Sequence, residues 1–403
     1  MKNRIRLLQL SSHSEAEDCL RKIGVEPYGI ASMGPKMSHM NLLIEGLKPK
    51  VSNIIKQEML SLGGDAAVSR GSVDCSVQKT DVLVMGTEKQ VLRFIDKIGL
   101  QPFGLKGIAS DLQELLLNCS RSQFLLKTPR REIRISDRTL VMGVINATPD
   151  SFSDGSALAN EREGLRKAVK LVTEGADILD VGGESSRPGA KPVPLKEELR
   201  RVIPLIRLIT KELDLPVSID TTKAEVARLA IEEGAEMIND ITALRGEKAM
   251  ARVAAAAGTP VILMHMRGKP STMQKGSLAY GSLIGEIIEF LENRVDHASS
   301  AGIPRENLVI DPGFGFGKSG SDNLRLLRHL GEFKAIGAPI LVGVSRKAFT
   351  GKVTGVNLPA ERIEGTAAAV TAAILNGANI IRVHDVGFMK RVAAMADAVR
   401  RAR

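Results

Sequence analysis

The chain has 403 residues, 43% apolar and 25% charged, which is the balance of a globular protein and excludes a disordered one. Its net charge of +10 is spread along the sequence, and with 3% aromatic residues and no tryptophan it offers few stacking platforms for nucleic acid, so an anionic small substrate is the expected partner and nucleic acid is not. No apolar run approaches the roughly 20 residues that span a bilayer, and the opening MKNRIRLLQLSSHSEAEDC turns polar too early for a signal peptide; a cytoplasmic protein with no membrane partner is expected.

The first 130 residues carry a duplication. KIGVEPYGI (22–30) returns as KIGLQPFGL (97–105), and the likeness reaches back over LLQL then EAEDCLR in one copy and VLVM then KQVLRFID in the other. A repeated α+β module accounts for this, with no catalytic constellation in it. Cys19, Cys75 and Cys119, odd in number and far apart, read as free thiols. The polar, basic TPRREIRISDR (128–138) reads as connecting chain. The expected division is a module over 1–130, a linker over 131–138 and a catalytic domain over 139–403.

From residue 139 onward, β-rich runs alternate with helical spacing. The runs are TLVMGVIN (139–146), ADILDVGG (176–183), PVSID (216–220), AEMIND (235–240), TPVILMHM (259–266), NLVID (307–311), APILVGV (338–344) and ANIIRVHD (378–385). Amphipathic stretches such as KAEVARLAIEEG lie between them, and several close on Gly-Ala before the next run, as a glycine C-cap would. The pattern predicts an α/β protein, a (β/α)₈ TIM barrel preceded by an N-terminal α+β domain. An open doubly wound sheet is the runner-up, but it lacks a dinucleotide fingerprint.

In such a barrel, chemistry sits where strands end. The first run ends at Asn146 and opens ATPDSFSDG; the second leads into GGESSRPGA, with Ser186, Arg187 and Pro188. The third ends in Asp220, the fourth in Asn239 and Asp240, and the sixth in Asp311 within DPGFGFGK. The seventh gives Ser345, Arg346 and Lys347, and the eighth gives Arg382 and His384. Arg382 and His384 share a face because the strand period is two, and two cations buried together call for an anion. A polar heterocycle joined to a phosphate or diphosphate is the ligand these ends imply.

Taken together, GVINATPDSFSDG, DVGGESSRPGA, SIDTTK, INDIT, LMHM, DPGFGFGK, GVSRK and RVHD resemble the motifs of the dihydropteroate synthases, the pterin-binding folate enzymes that sulfonamides inhibit. The resemblance covers residues 139–403. It implies condensation of 6-hydroxymethyl-7,8-dihydropterin diphosphate with p-aminobenzoate, by a dissociative path in which diphosphate leaves first. It further implies that Asp220, Asn239, Asp311 and Lys347 hold the pterin, and that Asn146 ligates Mg²⁺ on the diphosphate. Arg382 and His384 would bind the diphosphate, with Ser186 of the second loop also near the substrate and Ser345 among the substrate-binding residues; Phe152, Arg187, Pro188, Phe316 and Lys347 would surround p-aminobenzoate. Asp154 is the candidate for steadying a closed first loop, Lys318 is expected to be solvated, and a homodimer through barrel helices is implied. A methyltetrahydrofolate corrinoid methyltransferase is the alternative that shares the ring-facing acids; it needs no diphosphate clamp.

Overall fold

The computed structural model describes residues 4–10, 13–147, 157–187, 189–274 and 278–402. The chain forms two compact units that divide between Leu117 and Asn118.

The first unit holds β1 (His39–Leu47), β2 (Asp65–Val68) and β3 (Thr80–Thr87), an antiparallel sheet with β3 in the centre. Around it run α1 (His13–Ile23), α2 (Pro27–Met37), α3 (Pro49–Ser61), α4 (Glu88–Ile98) and α5 (Leu105–Ser120), the last crossing the division. Thr87 opens α4 through a capping box with Gln90. Val91, Phe94, Ile95 and Ile98 of α4 then recur at helical spacing and bury their faces with Ile55, Met59, Val82 and Val84. The duplication is visible as a helix pair: KIG closes both α1 and α4. Its strands differ, since VLVM lies in β3 whereas LLQL (7–10) lies outside any strand, with Leu7 93% exposed.

The second unit begins not with a linker but with a hairpin, β4 (Phe124–Lys127) and β5 (Glu132–Ile135). The basic residues that suggested a connection alternate with Ile133 and Ile135, and it is these that turn inward. Together with Leu126 they pack against Leu140, Met142, Ile178, Met237, Ile262, Val309, Leu341 and Ile380, so the hairpin closes the end of the barrel where the strands begin.

The barrel strands are β6 (Leu140–Asn146), β7 (Ile178–Gly182), β8 (Val217–Asp220), β9 (Met237–Asp240), β10 (Val261–Met264), β11 (Leu308–Asp311), β12 (Leu341–Val342) and β13 (Ile380–Val383). They pair in parallel in the order 11-10-9-8-7-6-13-12, and a bridge from Ile310 to Ile340 closes the ring, as the eight expected runs require. Among the described residues the α-helices of this unit are α6 (Ala157–Thr173), α7 (Leu195–Glu212), α8 (Ala224–Glu232), α9 (Ala249–Ala257), α10 (Leu283–Ser300), α11 (Gly320–Arg328), α12 (Ala348–Thr354), α13 (Ile363–Leu375) and α14 (Val386–Arg401). Their apolar faces and the strands' outward residues make the main core. The Gly-Ala closures act as expected: Gly234 takes φ 98° after α8, and the Ala235 amide donates back to the Ala230 carbonyl at 2.9 Å.

Candidate active site

The inward positions of the strands change character along their length. Ile178 is followed two residues on by Asp180, Met237 by Asn239, Val309 by Asp311 and Ile380 by Arg382. With a period of two, each pair faces the same side; the apolar members form the floor above the hairpin, and the polar members collect at the other end. Gly182 makes room there, since a Cβ on it would lie 3.3 Å from Asp220 Cβ.

Arg382 joins this layer. Its Nε donates to Asp180 Oδ2 at 2.6 Å and its Nη2 to Asp220 Oδ2 at 2.7 Å, while Asn239 Nδ2 donates to the same Asp180 oxygen at 3.0 Å. The expectation that two cations here require an external anion is corrected by this geometry. Asp180 and Asp220 answer Arg382, and His384, with its pKa pushed down to about 3 by burial and by Arg382 and Arg346, is neutral. Burial works against the charge of Arg382, but the carboxylates of Asp180 and Asp220 outweigh it and move its pKa up. Burial raises Asp220 to about 7, against the pull of Arg382 and with the repulsion of Asp180. Ser345 Oγ lies 3.0 Å from His384 Nδ1 and accepts from the His384 amide at 3.2 Å, which fixes the ring.

Across the mouth, Asp311 is 6% exposed. Burial pushes its pKa up to about 6, opposed by the Gly313 amide that donates to it at 2.7 Å and by Lys347. The glycines after it are demanded by the backbone. Gly313 has φ 71° and a Cβ there would sit 1.9 Å from the His265 carbonyl oxygen; at Gly317, φ 67°, it would meet Arg267 at 2.7 Å. The two phenylalanines part: Phe314 enters the main core, whereas Phe316 joins Met264, Met266 and Met273 in a separate cluster at the strand ends. Lys347 Nζ stands 4.3 Å from the Phe316 ring centroid, and burial, with Arg382 repelling, lowers its pKa to about 8. Arg187, exposed on the loop after β7, adds to that repulsion.

Lys318 is not solvated as expected. It is 2% exposed, with Nζ 2.8 Å from His265 Nδ1 and 2.9 Å from the Gly313 carbonyl oxygen, because the glycines fold the chain back over it. Asp240 belongs to the turn, accepting from the Thr242 and Leu244 amides. Arg346, at φ 59°, pairs with Asp385 at 2.6 Å. Asn146 lies partly buried at the end of β6 and Ser186 partly buried in the loop after β7. Phe152, Asp154 and Pro188 lie outside the described residues.

Three groups escaped the sequence reading. Asp180, fully buried, was concealed in LDVGG, although its parity with Ile178 and Gly182 marks it as inward. Behind Asp220, Lys223 bridges Glu184 at 2.5 Å and the buried Glu198, which accepts from Thr221 at 2.6 Å. Helix α8 takes a first-turn acceptor from Glu247, to which the Ala224 amide donates at 2.9 Å.

Comparison with known proteins agrees with this architecture. Residues 142–384 match the pterin binding enzyme family. The dihydropteroate synthase of Synechocystis is 49% identical over 262 residues, which is 65% of this chain and 90% of that protein. A probable bifunctional folylpolyglutamate synthase/dihydropteroate synthase of Halobacterium salinarum is 38% identical over 391 residues, 97% of this chain and 46% of that protein, so the likeness includes the N-terminal unit. The solved structure of Xanthomonas albilineans dihydropteroate synthase with 4-aminobenzoic acid is 43% identical, with a TM-score of 0.65 over 70% of this chain and 100% of that one.

Proposed function

Because the chain belongs to the dihydropteroate synthases of the pterin binding enzyme family, we propose that its site residues divide among pterin ring, leaving group and arylamine. The enzyme is a transferase of folate biosynthesis: it joins 6-hydroxymethyl-7,8-dihydropterin diphosphate to p-aminobenzoate, giving 7,8-dihydropteroate and diphosphate. The observation that supports the division is that Arg382 pairs with Asp220 at 2.7 Å, so that an acid read as ring-binding and a cation read as tail-binding are neighbours at one end of the barrel.

Asp311 receives the guanidine-like edge of the pterin, a charged hydrogen-bonding role worth about 1.5 to 3 kcal/mol per bond. Asn239 and Lys347 complete the ring site, and Asp220 faces the developing cation as the C–O bond to diphosphate breaks. Arg382 and the neutral His384, steadied by Ser345, donate to the departing diphosphate, and Ser186 lies beside it. No general base is needed, since the arylamine nitrogen is nucleophilic when neutral. Phe316 is the wall for the benzoate ring, with Arg187 for its carboxylate; the parts given to Phe152, Pro188 and Asp154 rest on the family resemblance alone.

Asn146 offers a hard, neutral oxygen at the end of β6, which suits Mg²⁺ held mainly through substrate phosphates; no group of three or more His, Cys, Asp or Glu among the described residues could cage a metal. When bound, the ion would offset the charge of the leaving diphosphate. A homodimer is supported by Phe388, Met395 and Val399, apolar residues exposed along one face of α14. A cytoplasmic setting suits the three unpaired cysteines. Among the described residues no helix is long and apolar enough to cross a membrane.

The test is a product assay with the pterin diphosphate, p-aminobenzoate and Mg²⁺. Dihydropteroate and diphosphate are expected in equal amounts. Methyl transfer from methyltetrahydrofolate, with no diphosphate released, would instead identify the corrinoid-type alternative.

A further inference from the structure

The fully buried Asp180 has a role that the roles assigned above do not absorb. Its Oδ2 accepts from Arg382 Nε at 2.6 Å and from Asn239 Nδ2 at 3.0 Å. Its Oδ1 is buried with no hydrogen-bond partner, and among the described residues Arg382 is its ion-pair partner. A carboxylate with one oxygen unpaired is costly to hold in a barrel interior, and a neutral residue of similar size in LDVGG would serve packing at lower cost. What the charge does here is geometric. It lies below the site on β7 and reaches β9 on one side of the ring and β13 on the other, so that a single oxygen fixes two side chains contributed by strands far apart in sequence.

The consequence for Asn239 is orientational. With Nδ2 committed to Asp180, the side-chain amide is fixed in one sense and Oδ1 is its acceptor. For Arg382, Nε and one N–H of Nη2 are committed to Asp180 and Asp220, so the guanidinium plane is set and the two N–H of Nη1 and the second N–H of Nη2 are the remaining donors.

We propose that Asp180 is a positioning residue for the reaction, locking the acceptor face of Asn239 and the plane of Arg382 in register so that ring and leaving group are oriented together. The proposal rests on the roles given above to Asn239 and Arg382, and its test separates the two. Asp180→Asn keeps the volume and an acceptor oxygen but removes the charge. For this variant the KM for the pterin diphosphate should rise about tenfold and kcat should fall about tenfold, with the KM for p-aminobenzoate within about twofold of the parent. Asn239→Ala and Arg382→Ala test the underlying reading: each should impair the pterin diphosphate side, and if both leave kinetics unchanged the reading itself is wrong.

In the double variant Asp180→Asn/Arg382→Ala, the Asp180 change should cost clearly less than it does alone, because the group it positions is gone. If Asn239→Ala and Arg382→Ala are impaired while Asp180→Asn is not, or if the two effects multiply independently, the proposal is overturned and the reading stands. Asp180→Ser repeats the comparison should the Asn variant not fold. Failure of both to fold would also overturn it, by making Asp180 a requirement of the fold rather than of orientation.

Discussion

Lys318 Nζ lies 2.8 Å from His265 Nδ1 and also donates to the carbonyl oxygens of Gly313 and Phe316, at 2.9 and 3.2 Å. One buried amine therefore ties the glycine loop after β11 to the end of β10, and Asp311 and Phe316 ride on that loop. Lys318→Met removes the donor and leaves three buried acceptors unmet, each costing about 1 to 3 kcal/mol before relaxation. We expect a loss of roughly 3 kcal/mol in urea unfolding and a fall in kcat/KM of about tenfold. Burial lowers the amine's pKa to about 7, whereas in the unfolded chain it is about 10.4. Between these values the unfolded chain binds the extra proton, so this group makes stability rise with pH. An unfolding midpoint unaffected by the substitution would contradict this account.

Asp311 gives the opposite slope at lower pH. Its folded pKa of about 6 stands above the ordinary aspartate value of about 3.9, so between those limits the folded protein binds a proton that the unfolded chain does not. Its contribution to stability therefore falls as pH rises through that window. Pterin binding has the reverse sense, because the ring edge requires the carboxylate: affinity should weaken as pH drops through about 6. Calorimetric titration with a pterin ligand from pH 5 to 8 would show that decline in the parent. In Asp311→Asn affinity should be at least tenfold weaker and flat over the same range; a parent affinity independent of pH would count against the assignment.

The eight strands were legible because each is a short β-rich run bounded by a helix of clear period, and the strand-end residues Asp220, Asn239, Asp311 and Arg382 followed from their places in those runs. What the sequence withheld was pairing in space. Arg382 and Asp180 are 202 residues apart, and the charge argument that asked for an external anion lacked both the Asp180 and Asp220 pairing of Arg382 and the burial that keeps His384 neutral. Lys318 looked like an exposed cation because nothing local shows that three positive-φ glycines turn the chain over it. The hairpin was concealed by its composition: TPRREIRISDR is basic, and only alternation marks Ile133 and Ile135 as inward.

The Lys347 and Phe316 pair should separate the two substrates. Lys347 Nζ sits over the Phe316 ring at 4.3 Å, an arrangement worth about 0.5 to 2 kcal/mol, and Phe316 also closes the methionine cluster. Phe316→Leu keeps an apolar side chain in that cluster but removes the ring face. The KM for p-aminobenzoate should rise about three- to tenfold, in line with the roughly 0.5 to 1.5 kcal/mol of a ring–ring contact, while the KM for the pterin diphosphate, which feels Phe316 only through Lys347, rises less. Equal rises for both substrates would show that Phe316 is not a wall specific to the arylamine.

The place of the hairpin decides where the chain can be cut. Removing residues 1–117 leaves Asn118–Ala402, a unit with its own core and with β4 and β5 in place, so this fragment should fold and turn over. Removing residues 1–135 also strips Leu126, Ile133 and Ile135 from the apolar floor formed by Leu140, Met142, Ile178, Met237, Ile262, Val309, Leu341 and Ile380. Each buried Leu or Ile is worth about 1.5 to 3 kcal/mol, and the three together approach the 5 to 15 kcal/mol that is the whole stability of a typical domain. The shorter fragment should therefore melt well below the longer one or fail to fold, although every residue assigned to the site is still present in it. Thermal unfolding and turnover measured on the two fragments side by side check this. Equal stability would mean that the hairpin is dispensable and that the barrel floor seals itself.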